Sequence, residues 1–465
     1  MSLNSRRTKG CTLTAAALLA TAGCATYHPM PLDAFGSGDG SARRVAAVDS
    51  SALRVAASSL RHARIAPIRM NFADGLSADE AAVVAVIANP DLRAARAGRK
   101  VARANLVAAG MMPNPTLDGE LDVPTGANSA NEVVGSVLHA GLDLQALITR
   151  GADRDAARAQ IESVDLDVAW REWQVAEQAR LQVHRIGFLE QARDLAAAGS
   201  VDLEQDVRAL QAAESLRVVS GAELAAAESA LESVRRIALD ADLEVNRTRR
   251  GLNTTLGIPS DSLLAIQVDT SSPLNFQIPS QGALQDSLES RRLDLIALRK
   301  GYDSQDASLR AEILRQFPSI NIGFVRNKDT GNFFTIGPTV SIGLPIFDRN
   351  QGPIAVARAT REQLFREYEA RVFTSRAQVD SLLAERASAF KRIDNARAAA
   401  AVQERLERVL REARTAGVSD VVTLYQARVE LLNRRLDVIQ QEMALAELNT
   451  ALEIASGITF YSSRQ

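Results

Sequence analysis

Cysteine is nearly missing: Cys11 and Cys24, both near the N-terminus, are the only two in 465 residues. That excludes a disulfide framework or a Cys-built metal centre from the bulk of the chain. The four histidines, His28, His62, His139 and His184, stand far apart and form no ligand pattern. Aromatic residues make up only 4%, which argues against one thick globular core and for long helices packed through small side chains. A net charge of -2 gives no reason to expect nucleic acid as a partner. No apolar run reaches the roughly 20 residues of a membrane-crossing helix, so any crossing would have to be made by strands. A phosphate-binding glycine loop is also missing, and the Asp and Glu residues are scattered along helical stretches without an acid/base pairing. No catalytic residue, cofactor or metal site is expected.

The N-terminus opens with Arg6, Arg7 and Lys9, followed by a short apolar run from Cys11 to Ala22 and then Thr21-Ala22-Gly23-Cys24. This order reads as a signal peptide over residues 1–23. The small residues before Cys24 are similar to a bacterial lipobox, which implies a palmitate-bearing lipoprotein with acylated Cys24 as its mature N-terminus. An ordinary cleaved signal peptide with an incidental cysteine is the alternative. Ala25 at the next position, by the same similarity, implies transfer to the outer membrane. Residues 24–75, rich in Gly, Ser, Asp and Arg, read as a lipid-anchored tether with little regular structure.

From there the chain says nearly the same thing twice. Asn89-Pro90-Asp91-Leu92 leads through a helical stretch to Pro113-Asn114-Pro115-Thr116-Leu117, and Arg292-Leu293-Asp294-Leu295 leads to Phe317-Pro318-Ser319-Ile320. Gly257-Ile258 is answered by Gly457-Ile458. So long a period is not a solenoid unit but the duplication of a half-domain: helix, strand pair, long helix, helix. The first repeat is assigned to residues 76–260, a linker to 261–280, the second repeat to 281–460 and a tail to 461–465. Ser77 with Glu80 forms a capping-box pattern at the start of the first helix.

Two pairs of segments alternate with period two. Leu117, Gly119, Leu121 and Val123 oppose Asp118, Glu120 and Asp122; Val134, Leu138, Ala140, Leu142 and Leu144 alternate with Ser136, His139, Gly141 and Asp143. Ile320, Ile322 and Phe324 oppose Ser319, Asn321 and Gly323, while Phe334, Ile336, Val340 and Ile342 oppose Thr335, Thr339 and Ser341. Segments of about ten residues, apolar on one face and polar on the other, match transmembrane barrel strands. A soluble hairpin with one wet face alternates in the same way. Four strands cannot close a barrel, which needs about eight, whereas three pooled chains supply twelve. Pro338 removes one ladder donor from the last strand.

The remaining sequence reads as long helices over Arg150–Ala197, Asp202–Leu256, Ile354–Thr415 and Asp420–Ala455. Leu424, Leu431, Val438, Leu445 and Leu452 recur every seven residues, a left-handed coiled-coil seam. Turns are expected at Gly199-Ser200-Val201-Asp202 and at Arg414 to Asp420, where Gly199 and Gly417 suit a left-handed helix end and Asp202 and Asp420 suit the start of the next helix.

Leu76-Ser77-Ala78-Asp79-Glu80-Ala81, Asn89-Pro90-Asp91-Leu92, Met112-Pro113-Asn114-Pro115, Leu256-Gly257-Ile258-Pro259 and Leu344-Pro345-Ile346-Phe347-Asp348-Arg349-Asn350-Gln351-Gly352 together resemble the TolC-like outer-membrane efflux channels. The resemblance covers about residues 76–460. Its last motif looks most like members serving metal-ion and related RND-type tripartite pumps. It implies a mainly α protein with a small β portion: a homotrimer whose strands share one barrel in the outer-membrane lipid and whose helices form a periplasmic tunnel. The implied partners are a periplasmic adaptor and an inner-membrane pump. By the same resemblance, Gly199, Ser200, Val201, Arg414, Gly417, Val418 and Ser419 are periplasmic tip residues where the adaptor docks. Asp118, Glu120, Asp122 and Asp143 would face the barrel lumen. Some relatives narrow the tunnel with aspartates after the tip glycine, but Thr423 and Gln426 stand there here, which leaves Asp202 and Asp420 as candidate constriction residues. The alternatives are the outer component of a type I protein secretion system and a lipid-anchored coiled-coil scaffold.

Overall fold

A computed structural model describes residues 26–29, 50–71, 73–125, 131–274, 277–418 and 420–460. Cys24 and Ser419 lie outside the described residues. The chain divides into two units, Met1–Val48 and Asp49–Gln465. Of the first, residues 26–29 are exposed and form no regular secondary structure.

The second unit runs through α1 (Ser50–Ser58), α2 (Ala78–Ala88), α3 (Pro90–Gly110), β1 (Thr116–Asp122), β2 (Gly135–Asp143), α4 (Gln145–Ser215) and α5 (Gly221–Thr255). It continues with α6 (Gln281–Arg291), α7 (Leu293–Leu314), β3 (Ser319–Lys328), β4 (Phe334–Gly343), α8 (Gln351–Thr415) and α9 (Val421–Ser456). The same order of elements therefore runs twice. The predicted tether is more ordered than expected: α1 forms within it, and Leu53, Ala57, Ile65 and Met70 are buried, apolar anchors among its polar residues.

Local signals set the helix boundaries. Ser77 and Glu80 make the expected capping box at α2. Asn89 ends α2 and caps α3, its Oδ1 accepting from the amides of Asp91 and Leu92, with Pro90 at the first helical position. Helices α5 and α9 both end on a left-handed glycine, Gly257 at φ 69° and Gly457 at φ 71°. A Cβ on Gly257 would lie 2.6 Å from the Ala88 carbonyl oxygen, and one on Gly457 would lie 3.1 Å from that of Arg291. Each half thus closes by seating the end of its last helix against the end of its first. The side chain after that first helix ties the junction in both halves: Asn89 Nδ2 donates to the Thr255 carbonyl at 2.9 Å, and Arg292 Nη1 to that of Ala455 at 3.1 Å.

Here the core is densest. Helix α2 is buried nearly all round, and Trp173, Ile186 and Phe188 of α4 are fully buried, as are Leu252, Leu284, Leu295, Leu445 and Leu452. Trp170 packs on Trp173 at 5.3 Å, with the Arg292 guanidinium over its ring. On one side of this belt the helices run as pairs, α4 with α5 and α8 with α9; on the other, towards the sheet, α4 packs with α3 and α7, and α7 with α8. At about 1.5 Å per residue, the 71-residue α4 is about 107 Å long. In α9, Leu424, Leu431, Leu445 and Leu452 of the seven-residue seam are buried.

The four strands form one antiparallel sheet in the order β1-β2-β3-β4, with β2 and β3 joining the halves. All connections to the helices leave from one end of the sheet; the loops after β1 and β3 lie at the other.

Candidate functional site

The register decides which residues share a face. Leu117 lies opposite Ala140, Ala140 opposite Phe324, and Phe324 opposite Pro338. One face therefore carries Leu117, Leu121, Leu138, Ile322, Phe324, Ile336, Val340 and Ile342. All are exposed, from 42% at Ile322 to 80% at Ile336. Among the described residues no helix covers them. The other face carries Asp118, Glu120 and Asp122 of β1, His139 of β2 and Thr335, Thr339 and Ser341 of β4. His139 Nε2 lies 2.9 Å from Thr339 Oγ1, and its Nδ1 is 3.6 Å from Asp118. Asp143 accepts from the Gln145 amide at 2.8 Å, so this carboxylate also sets the start of α4. The outer strands β1 and β4 have no partner on their far sides among the described residues. Pro338 lies on edge strand β4, where a missing donor is tolerated.

The first predicted turn is misplaced. Gly199, Ser200, Val201 and Asp202 lie inside continuous α4. Gly199 is helical, and a Cβ there would meet Val234 at 3.6 Å and Leu432 at 3.8 Å. Its smallness serves helix packing rather than a left-handed end, and Asp202 is an exposed side chain of the helix surface. The chain reverses instead at Leu216–Ser220, with Arg217 left-handed at φ 59°. The second turn is where expected, with Gly417 at φ 74°. The two turns have the same bonding: Arg217 N to Glu214 O and Val218 N to Ala213 O in one, Gly417 N to Arg414 O and Val418 N to Ala413 O in the other. Ser220 and Glu223 make a capping box, and Asp420 caps α9 through the Val422 amide. Leu216, Val218 and Val418 are 74–81% exposed. Arg414 reaches Glu223 at 3.3 Å, so the two turns lie side by side.

A group that the sequence reading missed ties the helix pairs together behind the turns. Asp206 of α4 pairs with Arg428 of α9, whose Nε is 3.4 Å from buried Glu407 of α8. Arg411 holds the same carboxylate. Tyr425 lies beside Arg428; burial and the neighbouring Asp206 charge push its phenol up to about 12. The clue was an acid on one helix pair and a Tyr/Arg pair on the other, legible only once the turns are placed.

The buried histidines are fasteners. His62 takes the amides of Arg64 and Ile65 on Nδ1 and meets the Ala169 carbonyl at 2.9 Å through Nε2; His184 Nδ1 lies 3.0 Å from the Asp269 carbonyl. Burial lowers the pKa of both. Among the described residues no group of three His, Cys, Asp or Glu side chains is placed to hold a metal ion, and no helix is long and apolar enough to cross a membrane.

Among the described residues, then, the sheet has one apolar face and two open edges and is carried on long helical hairpins. Residues 284–457 match the family profile described as outer membrane efflux protein. The described chain has the TolC-like channel fold. The family is one of outer-membrane channels rather than enzymes. Over 219 residues the chain is 29% identical to the cobalt-zinc-cadmium resistance protein CzcC of Cupriavidus metallidurans, a match covering 38% of this chain. The chain spans about half (50%) of the length of that curated relative. Structures of CusC superpose with a TM-score of 0.70 at 18% identity, over 86% of this chain and 98% of theirs. VceC of Vibrio cholerae gives 0.67 at 16% identity, over 83% and 97%.

Proposed function

We propose that this chain is the exit duct of a tripartite efflux system, passively conducting metal ions or small toxic compounds out of the periplasm. One observation carries the reading: an apolar sheet face that no other described residue covers, on a sheet whose two edge strands have no partner among the described residues. Such a face needs lipid, and such edges need further strands. Strands β2, β3 and β4 have 9–10 residues, which at about 3.3 Å per residue matches the roughly 30 Å of a bilayer core, while β1 with 7 residues is shorter. Three chains sharing their edges give twelve strands, with Asp118, Glu120, Asp122 and Asp143 turned to the lumen, where an acidic mouth favours cations.

The helical hairpins then hang into the periplasm. Leu216–Ser220 and Ala416–Asp420 form the tips, and exposed Leu216, Val218 and Val418 there suit an adaptor protein that bridges to an inner-membrane RND-type pump. Asp206, Arg428 and Glu407 hold the hairpins together and so favour a narrow resting tip, with Asp420 near its end. Acylation of Cys24 would add a lipid anchor. Metal cargo is favoured by the likeness to a cobalt-zinc-cadmium resistance protein.

The test is growth of a strain lacking the gene on divalent metal salts, antibiotics, dyes and organic solvents, with complementation. Sensitivity confined to metals, restored by the gene, is the expected result. Sensitivity to unrelated organic compounds alone would replace metal ions as cargo, and complemented loss of an exported protein would overturn the efflux reading.

A further inference from the structure

The charges on the four strands are sorted by face. The carboxylates Asp118, Glu120 and Asp122 lie on the polar face, and Asp143 shares that phase on β2. The strands carry two permanent cations, Arg326 and Lys328 of β3, and both lie on the apolar face. Arg326 sits between Leu138 of β2 and Ile336 of β4, and Lys328 between Ser136 and Phe334. Neither belongs to the interior of a lipid-facing surface, where a cation is costly at the midplane and tolerated at the interface. They stand together in the last turns of the sheet before the loop end, farthest from the helices. Their heads are braced on one ring: Arg326 Cζ is 5.9 Å and Lys328 Nζ 5.8 Å from the Phe334 centroid. Phe333 and Phe334 are 73% and 60% exposed, an aromatic edge at the same level.

We propose that Arg326 and Lys328, held by Phe334, form a binding site for a phosphorylated lipid headgroup at the loop-end rim of the barrel. It rests on the membrane-barrel reading above. Three features favour this occupant. Two cations one strand-step apart give a guanidinium fork and an ammonium for the same phosphate. The strand carboxylates are all on the far side of the sheet, and the neighbouring loop acid, Asp329, accepts from the Phe333 amide at 2.9 Å, so the strand charges that an anion approaching through lipid meets are positive. Apolar Leu138 and Ile336 beside the cations offer a surface for the acyl chains just below the headgroup. In a trimer the rim would carry three such sites.

The full-length trimer in phosphatidylcholine nanodiscs tests this, with native mass spectrometry counting retained lipid A that carries its phosphates. Arg326→Gln and Lys328→Gln should each weaken retention about fivefold, and the double variant about 25-fold, the effect of removing one or two basic residues at a lipid surface. Dephosphorylated lipid A should bind wild type and double variant alike. Equal retention of phosphorylated lipid A by wild type and double variant overturns the proposal while leaving the channel intact, which pores of normal conductance would show. Free pyrophosphate binding as tightly as the lipid would overturn the lipid source and leave a simple phosphate site. A protein that does not enter nanodiscs at all overturns this proposal together with the barrel reading.

Discussion

Phe324 tests the assignment of the sheet's faces most sharply. It stands midway along β3, four residues from Ile320 and four from Lys328 on the same face, opposite Ala140 and Pro338. It is 65% exposed and supports no core. If this face meets lipid, Phe324→Arg places a charge at the bilayer midplane at a cost of about 2–4 kcal/mol per chain. That corresponds to a factor of about 30 to 900 in insertion equilibrium, and to about 6–12 kcal/mol in a trimer. The neighbouring Val325→Arg puts the same charge on the polar face, opposite His139 and Gly337, where a change within about 0.5 kcal/mol is expected. The assay is the fraction of each variant recovered from outer membranes as a trimer that dissociates only on heating. Phe324→Leu should match wild type, Val325→Arg should be close to it, and Phe324→Arg should be nearly absent. Equal recovery of the two arginine variants would refute the lipid-facing assignment. Loss of Val325→Arg alone would mean that the faces are exchanged, since a register slip of one residue moves every side chain to the other side.

Further expectations concern the helices. Gly199→Ala should raise trimer melting, by up to about 1 kcal/mol, because Gly199 is helical with room for a methyl group; Gly417→Ala, at φ 74°, should lower stability by about 1–2 kcal/mol. The opposite order would restore the first turn to Gly199. Glu177 is sealed beside Arg180 and Glu453. Burial raises its pKa, against the pull of Arg180. A raised carboxyl binds more protons folded than unfolded, so its contribution is full below the ordinary Glu value and is lost as pH rises through the folded one. Melting temperature against pH should therefore fall less with rising pH for Glu177→Gln than for wild type across that window; parallel curves would contradict it. Val218→Glu with Val418→Glu should abolish site-specific crosslinking to a co-expressed adaptor and leave trimer assembly intact, and undiminished crosslinking would remove the tips from the docking surface.

Much of this architecture is legible in the sequence because it is written twice. Strand phase followed from alternation alone, since Leu117, Ile320 and their neighbours repeat with period two and no helix competes for that pattern. The second hairpin turn was legible because Gly417 is both a glycine and left-handed. The first was not, because the chain puts Arg217 in the same backbone state, where composition predicts glycine, and places Gly199 where helices merely pack closely. The repeat itself held the answer: Gly257 answers Gly457, and Arg217 answers Gly417 at that same offset. The Asp206–Arg428–Glu407 tie was hidden for a different reason. Its members come from three helices, and only the position of both turns brings them level. The ordered stretch around α1 was masked by its polar composition, in which a few apolar residues, Leu53, Ala57, Ile65 and Met70, do the anchoring.

The most direct measurement of the central claim is conductance of the purified trimer in planar lipid bilayers, wild type beside Arg428→Ala. The account predicts stable pores that pass ions without nucleotide, small in wild type, and larger in Arg428→Ala because the tie between the hairpins is cut. Bilayers that stay silent with both proteins would contradict a channel.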